Sequence, residues 1–173
     1  MDIKFVKLSE NAIVPTYGRV GDAGLDLYTS EDIRIPAGET KVVPTDIAIQ
    51  LQQGYEAQVR PRSGISLNGA KGCFHISKVL TFSPIPEEDM LLKEIKEECS
   101  PYLRVQLGTI DSNYRGNIGI ITYNQENYEV LIPKGTKLAQ LVVAPVMRVD
   151  LIEVDKLEES ERGEKGYGSS GNR

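Results

Sequence analysis

The 173 residues contain no tryptophan, one histidine and only two cysteines. Cys73 and Cys99 are too few for a disulfide framework, so a reducing compartment is expected. Cys73, His75 and Cys99 offer at most three zinc ligands and there is no CxxC pair, so no structural zinc site is expected. Both cysteines read as ordinary thiols. No apolar run approaches the roughly 20 residues that span a bilayer, so no membrane attachment is expected. The opening MDIKFVKLSE has the character of neither a signal peptide nor a transit peptide. Positive charge is in deficit, with 20 Lys and Arg against 25 Asp and Glu and a net charge of -5. A general nucleic-acid binder needs a basic face, so that class is not expected either. A small anionic ligand needs only local positive charge, and a cytoplasmic protein remains the expectation.

Hydrophobic residues make up 40% of the chain, which excludes global disorder. The length suits a single domain over residues 1–173 with a substantial core. Short alternating segments dominate. DIAIQL puts Ile47, Ile49 and Leu51 on one face, and YEAQVR does the same with Tyr55, Ala57 and Val59. NIGIITY and LAQLVVAPV are rich in β-branched residues and read as further strands. PAGE and PKGT punctuate them as turns. Many short strands with such turns predict an all-β jelly roll or barrel.

One stretch breaks the pattern. SPIPEEDMLLKEIKEECSP predicts a helix over about 86–99, with Pro86 and three acidic residues at its start. Leu91, Ile95 and Cys99 recur every four residues as an apolar stripe, and Pro101 ends the segment.

Four internal segments carry candidate chemistry. DAGLDLY places Asp26 opposite Leu25 and Leu27, among small residues that allow close backbone approach. RPRSGIS gathers Arg62, Ser63 and the amide of Gly64 into an anion-binding donor set; a capped turn would use the same residues. GTIDSNYRGNIGI has a hairpin's turn chemistry between two apolar arms. Asp111 at its head could act as a base, since aspartate is ordinarily ionised at neutral pH, and Tyr114 could pack against a sugar. KLAQLV contributes Gln140 among apolar neighbours.

The chain closes on ERGEKGYGSSGNR, with four glycines, two serines, one tyrosine and three basic residues. Composition alone suits a loose linker. The same residues suit a lid: glycine backbone and Ser169 and Ser170 for phosphate oxygens, Arg162 as a planar fork, and Tyr167 as a stacking ring.

Taken in order, AGLDL, PRSG, GTIDxxYRG, AQL and RGxxGYGSSG resemble the five motifs of the trimeric deoxyuridine triphosphatases, the dUTPases. The resemblance runs from Asp22 to Gly171 and leaves out 67–103. It implies a dUTPase-like β jelly roll that assembles as a homotrimer with active sites shared between chains. It implies Mg2+-dependent hydrolysis of dUTP to dUMP and pyrophosphate, which keeps uracil out of DNA and supplies dUMP for thymidylate synthesis. On this resemblance Asp111 activates the water, and Tyr114 stacks on the deoxyribose. Gly108, Ile110 and Ile118 belong to the backbone that reads uracil. Asp26 contacts the metal through water, the triphosphate supplying its other ligands. Arg62, Ser63, Gly64 and Gln140 contact phosphates. In a flexible lid over 160–173, Arg162, Ser169 and Ser170 grip the terminal phosphates, with Gly168 beside them. Tyr167 caps the base where the family usually has phenylalanine. The compartment is then the cytoplasm, or the host cytoplasm for a viral member.

Two departures stand out. Ser63 and Asp111 are 111 − 63 = 48 positions apart, more than the family's usual link, so residues 73–102 read as an insertion. Some phage dUTPases use extra segments for regulation, and this one could bind a protein partner or simply pack on the barrel. LRVQL also lacks an asparagine often found before the third motif. The rival readings are a dCTP deaminase of the same fold and a non-enzymatic regulator on this scaffold. RGNIGIITY carries no carboxylate for the deaminase's acid/base role.

Overall fold

A computed structural model describes residues 1–81 and 91–164. In chain order the strands are β1 (Lys4–Lys7), β2 (Thr16–Tyr17), β3 (Leu25–Tyr28), β4 (Ile33–Ile35), β5 (Thr40–Pro44), β6 (Ile47–Gln50) and β7 (Tyr55–Pro61). A six-residue helix, α1 (Ser63–Asn68), follows. Then come β8 (Cys73–Thr81), β9 (Leu91–Cys99), β10 (Leu103–Val105), β11 (Gly108–Ile110), β12 (Gly119–Asn124), β13 (Glu129–Ile132) and β14 (Lys137–Pro145).

The strands pair antiparallel in four sheets: β11-β7-β14-β3-β2, β4-β13-β8-β9, β10-β12-β5 and β1-β6. The expected all-β class and jelly-roll character hold, although the sheets do not close into one barrel. Alternation builds the core. In β12, Ile120, Thr122 and Asn124 are buried, while Ile121 between them is exposed. Leu27, Ile35, Val43, Ile47, Val130, Ile132 and Leu138 are fully buried where the sheets face one another. Each such aliphatic side chain contributes about 1.5–3 kcal/mol relative to exposure. Among the described residues no helix is long and apolar enough to cross a membrane.

Two local expectations are corrected. The described part of the expected helix over 86–99 is the strand β9, paired residue for residue with β8 from Thr81↔Leu91 to Cys73↔Cys99; residues 82–90 lie outside the described residues. A recurrence of four is a multiple of the strand period of two as well as close to the helical 3.6, so the 91/95/99 stripe fits either. The neighbouring CFHISKVLT, itself a strand, supplies a pairing edge that decides the matter. Within the described residues the one helix is instead α1, too short to show a periodic signal.

The second correction concerns GTIDSNYRGNIGI. Its arms do not form a hairpin: β11 pairs with β7, while β12 pairs with β10 and β5. Residues 111–118 are a loop passing from one sheet to another, because each arm finds a longer partner than the other arm.

Candidate functional site

The five-stranded sheet sets three of the predicted segments side by side. In its register Asp26 of β3 lies opposite Gln140 of β14, and Gln140 opposite Arg60 of β7. β7 then leads directly into Arg62 and α1. Asp26 is almost fully buried and receives two cations: Arg62 Nε at 3.1 Å from Oδ1 and Lys137 Nζ at 3.0 Å from Oδ2. Arg62 also donates from Nη1 to the Lys137 carbonyl at 3.0 Å. The hydrogen bond and charge of Asp26 raise the pKa of Lys137 above its ordinary value, keeping it protonated. Lys137 was missed by sequence reading, since a lysine in a strand beside turn residues looks like a solvated charge.

Gln140 has a local task. Its Nε2 donates to the Pro61 carbonyl at 3.0 Å, and its Oε1 lies where a methyl group on Gly24 would come within 2.7 Å. Gly24 is therefore required for this close approach, and Gln140 ties the second segment to the first. Ser63 and Gly64 open α1 and are exposed. Gly64 and Arg62 line a cleft of about 490 Å³ together with Lys71, Lys134 and Lys137.

The third segment builds two hollows. Gly108, Ile110, Tyr114 and Ile118, all singled out in the sequence, line one small pocket of about 240 Å³ with Asn117. Drug-sized ligands usually occupy about 300–1,000 Å³, so this pocket suits a smaller ring system. β11 is an edge strand, so alternate backbone N–H and C=O groups face away from β7. Tyr114 is half-exposed, and its hydroxyl donates to the Asn117 carbonyl at 3.0 Å. A Cβ on Gly116 would strike the Tyr114 hydroxyl, so glycine is what allows the ring to lie over the loop. Ile118 departs from expectation. Its side chain is buried, its N–H donates to the Ile47 carbonyl, and its carbonyl accepts from both the N–H and the hydroxyl of Thr45. Its backbone is therefore committed to the fold.

Asp111 is exposed and lines a larger hollow of about 690 Å³ with Glu56, Arg115 and Arg148. The Tyr114 N–H donates to the Asp111 carbonyl at 3.0 Å, closing a turn that fixes both residues relative to each other. Asp46 anchors the far end of this loop. It is the one non-glycine residue at positive φ (54°) among the described residues. Its carboxylate accepts from Ser9 Oγ at 2.7 Å and from Asn117 Nδ2 at 2.8 Å. These bonds, Ser9's foremost, hold the Asp46 carboxyl below its ordinary range.

Asp26 and Asp111 do not meet in one chain. β7 and β14 separate their strands, and the register displaces Asp111 by four residues along them. At about 4.8 Å per strand and 3.3 Å per residue, the separation is about 20 Å. Residues 146–164 are exposed throughout, including Met147, Leu151, Ile152 and Leu157. Arg162 is exposed on this segment; Tyr167, Gly168, Ser169 and Ser170 lie outside the described residues. Among the described residues no group of three or more His, Cys, Asp or Glu could hold a metal ion.

Both the sequence and the fold are similar to those of known proteins. The dUTPase family model matches residues 10–76 and 100–171. A deoxyuridine 5'-triphosphate nucleotidohydrolase of Crocosphaera subtropica is 40% identical over 171 residues, 99% of each chain. That of Clostridioides difficile is 38% identical over 170 residues, 98% of each chain. Among solved structures, the dUTPase of Staphylococcus bacteriophage 80alpha with dUPNHPP superimposes with a TM-score of 0.76 at 27% identity, covering 98% of both chains.

Proposed function

The chain belongs to the dUTPase family, and on that footing we propose how its own residues turn dUTP and water into dUMP and pyrophosphate. The observation that carries the reading is the small pocket over β11, lined by Gly108, Ile110 and Tyr114. Uracil presents two carbonyl acceptors flanking one N–H donor. The outward backbone edge of a strand offers both donors and acceptors in a fixed array, and so suits that pattern. The Tyr114 ring stacks on the deoxyribose and leaves no room for a 2′-hydroxyl.

Asp111, held next to Tyr114 by the turn, takes the proton from a water molecule. The water oxygen bonds to the α-phosphorus, the bond from that phosphorus to the α–β bridging oxygen breaks, and pyrophosphate departs with that oxygen. Arg62, Ser63 and Gly64 hold phosphate oxygens, with Arg62 aimed by Asp26. Gln140 keeps this donor set against β3. The tail residues Arg162, Tyr167, Gly168, Ser169 and Ser170 close over the bound nucleotide and exclude water.

The residues fit Mg2+ in a restricted way. Asp26 is a single carboxylate already shared by two cations. That is too little for a dedicated cage and sufficient for an ion that keeps its waters and takes substrate phosphates. When bound, Mg2+ neutralises the triphosphate and fixes one conformation of it.

The geometry supports a homotrimer with shared sites. With Asp26 and Asp111 about 20 Å apart, the phosphate side of one chain needs the base pocket of another. The uncovered apolar side chains of residues 146–157 support an arm laid on a second copy. An enzyme of the free nucleotide pool works in the cytoplasm, or the host's for a viral member.

Incubation with dUTP, dCTP, dTTP and UTP in the presence of Mg2+, with identification of products, tests the reading. Pyrophosphate and dUMP should come from dUTP, with little from dTTP or UTP. Rapid conversion of dCTP to a uracil product would overturn it.

A further inference from the structure

The cleft beside Arg62 and Gly64 extends past the residues that the dUTPase motifs supply. Lys71, Gly72, Lys134 and Lys137 line its remainder, and among the described residues no carboxylate lines it. In a chain of net charge -5, four cations around one hollow are a local concentration of positive charge. The four are not equally committed. Arg62 and Lys137 are tied to Asp26. Lys71 makes no ion pair among the described residues. Among the described residues Lys134 Nζ bonds only the neutral Asn11 Oδ1, and no carboxylate there offsets its charge. The backbone N–H groups of Lys71 and Gly72 have no acceptor among the described residues. Successive open amides beside an ammonium are the donor set that anions select.

We infer that Lys71 and Lys134, with the amides of Lys71 and Gly72, form a subsite for the two terminal phosphates of the substrate, and hold pyrophosphate before its release. The inference rests on the proposed hydrolysis at the α–β bond. It assigns to residues outside the five motifs the end of the triphosphate that becomes the leaving group. A ligand with one phosphate ends at Arg62 and Gly64, whereas pyrophosphate reaches the lysines.

The test compares the full-length protein with Lys71→Gln, Lys134→Gln and the double variant. Inorganic pyrophosphate is titrated into each by calorimetry, dUMP is used as a competitive inhibitor, and KM and kcat for dUTP are measured. Each exposed charge contact is worth up to about fivefold in affinity, so the double variant should bind pyrophosphate about tenfold more weakly. KM for dUTP should rise by a similar factor, kcat should stay within about twofold, and dUMP inhibition should be unchanged. Unaltered pyrophosphate affinity in the double variant overturns the subsite. Equal weakening of dUMP and pyrophosphate also overturns it, because the lysines would then serve the whole site. Absence of dUTP hydrolysis by the unmodified protein would sink the functional reading instead, while the pyrophosphate titration would still report on the lysines.

Discussion

Arg62 Nε approaches Asp26 Oδ1 at 3.1 Å, so the nearly buried carboxylate of β3 aims a guanidinium that lies just beyond the end of β7. The other oxygen of Asp26 holds Lys137 at 3.0 Å. One side chain thus orients two cations that line the basic cleft.

Asp26→Asn keeps the shape and removes the charge that both cations share. Outer contacts of this type typically change metal affinity or activity by about 10–100-fold. The Mg2+ concentration for half-maximal dUTP hydrolysis should rise, and kcat/KM should fall within that range. A Mg2+ titration identical to the unmodified protein's would mean that Asp26 acts only on the fold.

Asp111→Asn retains the size of the side chain and removes the base. Loss of a general base costs about 10²–10⁴-fold in kcat. Nucleotide affinity should persist, since the pocket over β11 and the basic cleft are untouched. Near-normal turnover would show that another group activates the water.

Truncation after Ser160 removes only exposed residues from the described part of the chain. Circular dichroism and sedimentation should be unchanged, while dUTP turnover collapses. An unfolded product would make the segment a structural arm rather than a lid.

Replacing residues 78–94 with Asn-Gly shortens the β8–β9 hairpin while keeping the Ser77↔Ile95 pair at its new tip. Asn-Gly suits a two-residue hairpin turn. The change removes Glu94, which lies 2.7 Å from Arg34. Exposed ion pairs contribute little, so assembly and most dUTP hydrolysis should survive. Lost hydrolysis in a folded, assembled variant would place this hairpin in the working site.

Asp46 predicts an acid dependence. Its folded pKa is depressed, chiefly by Ser9. The charged form therefore stabilises the fold above the ordinary aspartate value of about 4, and the contribution is lost as pH falls through the lower folded value. Denaturant midpoints of the unmodified protein and Asp46→Asn should differ most near neutrality and converge below about pH 4. A pH-independent difference would remove Asp46 from the acid response.

Much of this was legible beforehand, for identifiable reasons. Gly108, Ile110, Tyr114 and Ile118, singled out together in one ordered motif, line one pocket. Ile118's committed backbone was not legible, because its partners Thr45 and Ile47 are distant in sequence and met only in the fold. Lys137 escaped for the same reason: its meaning depends on Asp26, more than one hundred positions earlier. The helix expected over 86–99 failed on a spacing that two periodicities share. The hairpin expected over 108–120 failed because turn residues specify a reversal but not the partners of the strands that leave it.

The β8–β9 hairpin is held in its sheet by three register pairs, Phe74↔Leu131, His75↔Val130 and Ile76↔Glu129. Farther out, among the described residues, the two arms pair only with each other. Such an appendage has its own rule of inheritance. One residue gained or lost on both arms near the tip moves the turn along and leaves every inward or outward assignment below it intact. An unmatched residue in one arm must be absorbed as a bulge or it inverts the faces beyond it. Lineages can therefore trim or extend this finger in matched steps without retuning the sheet that carries Asp26 and Arg62. The dUTPase family model breaks off at residue 76 and resumes at 100, which is where this freedom begins and ends.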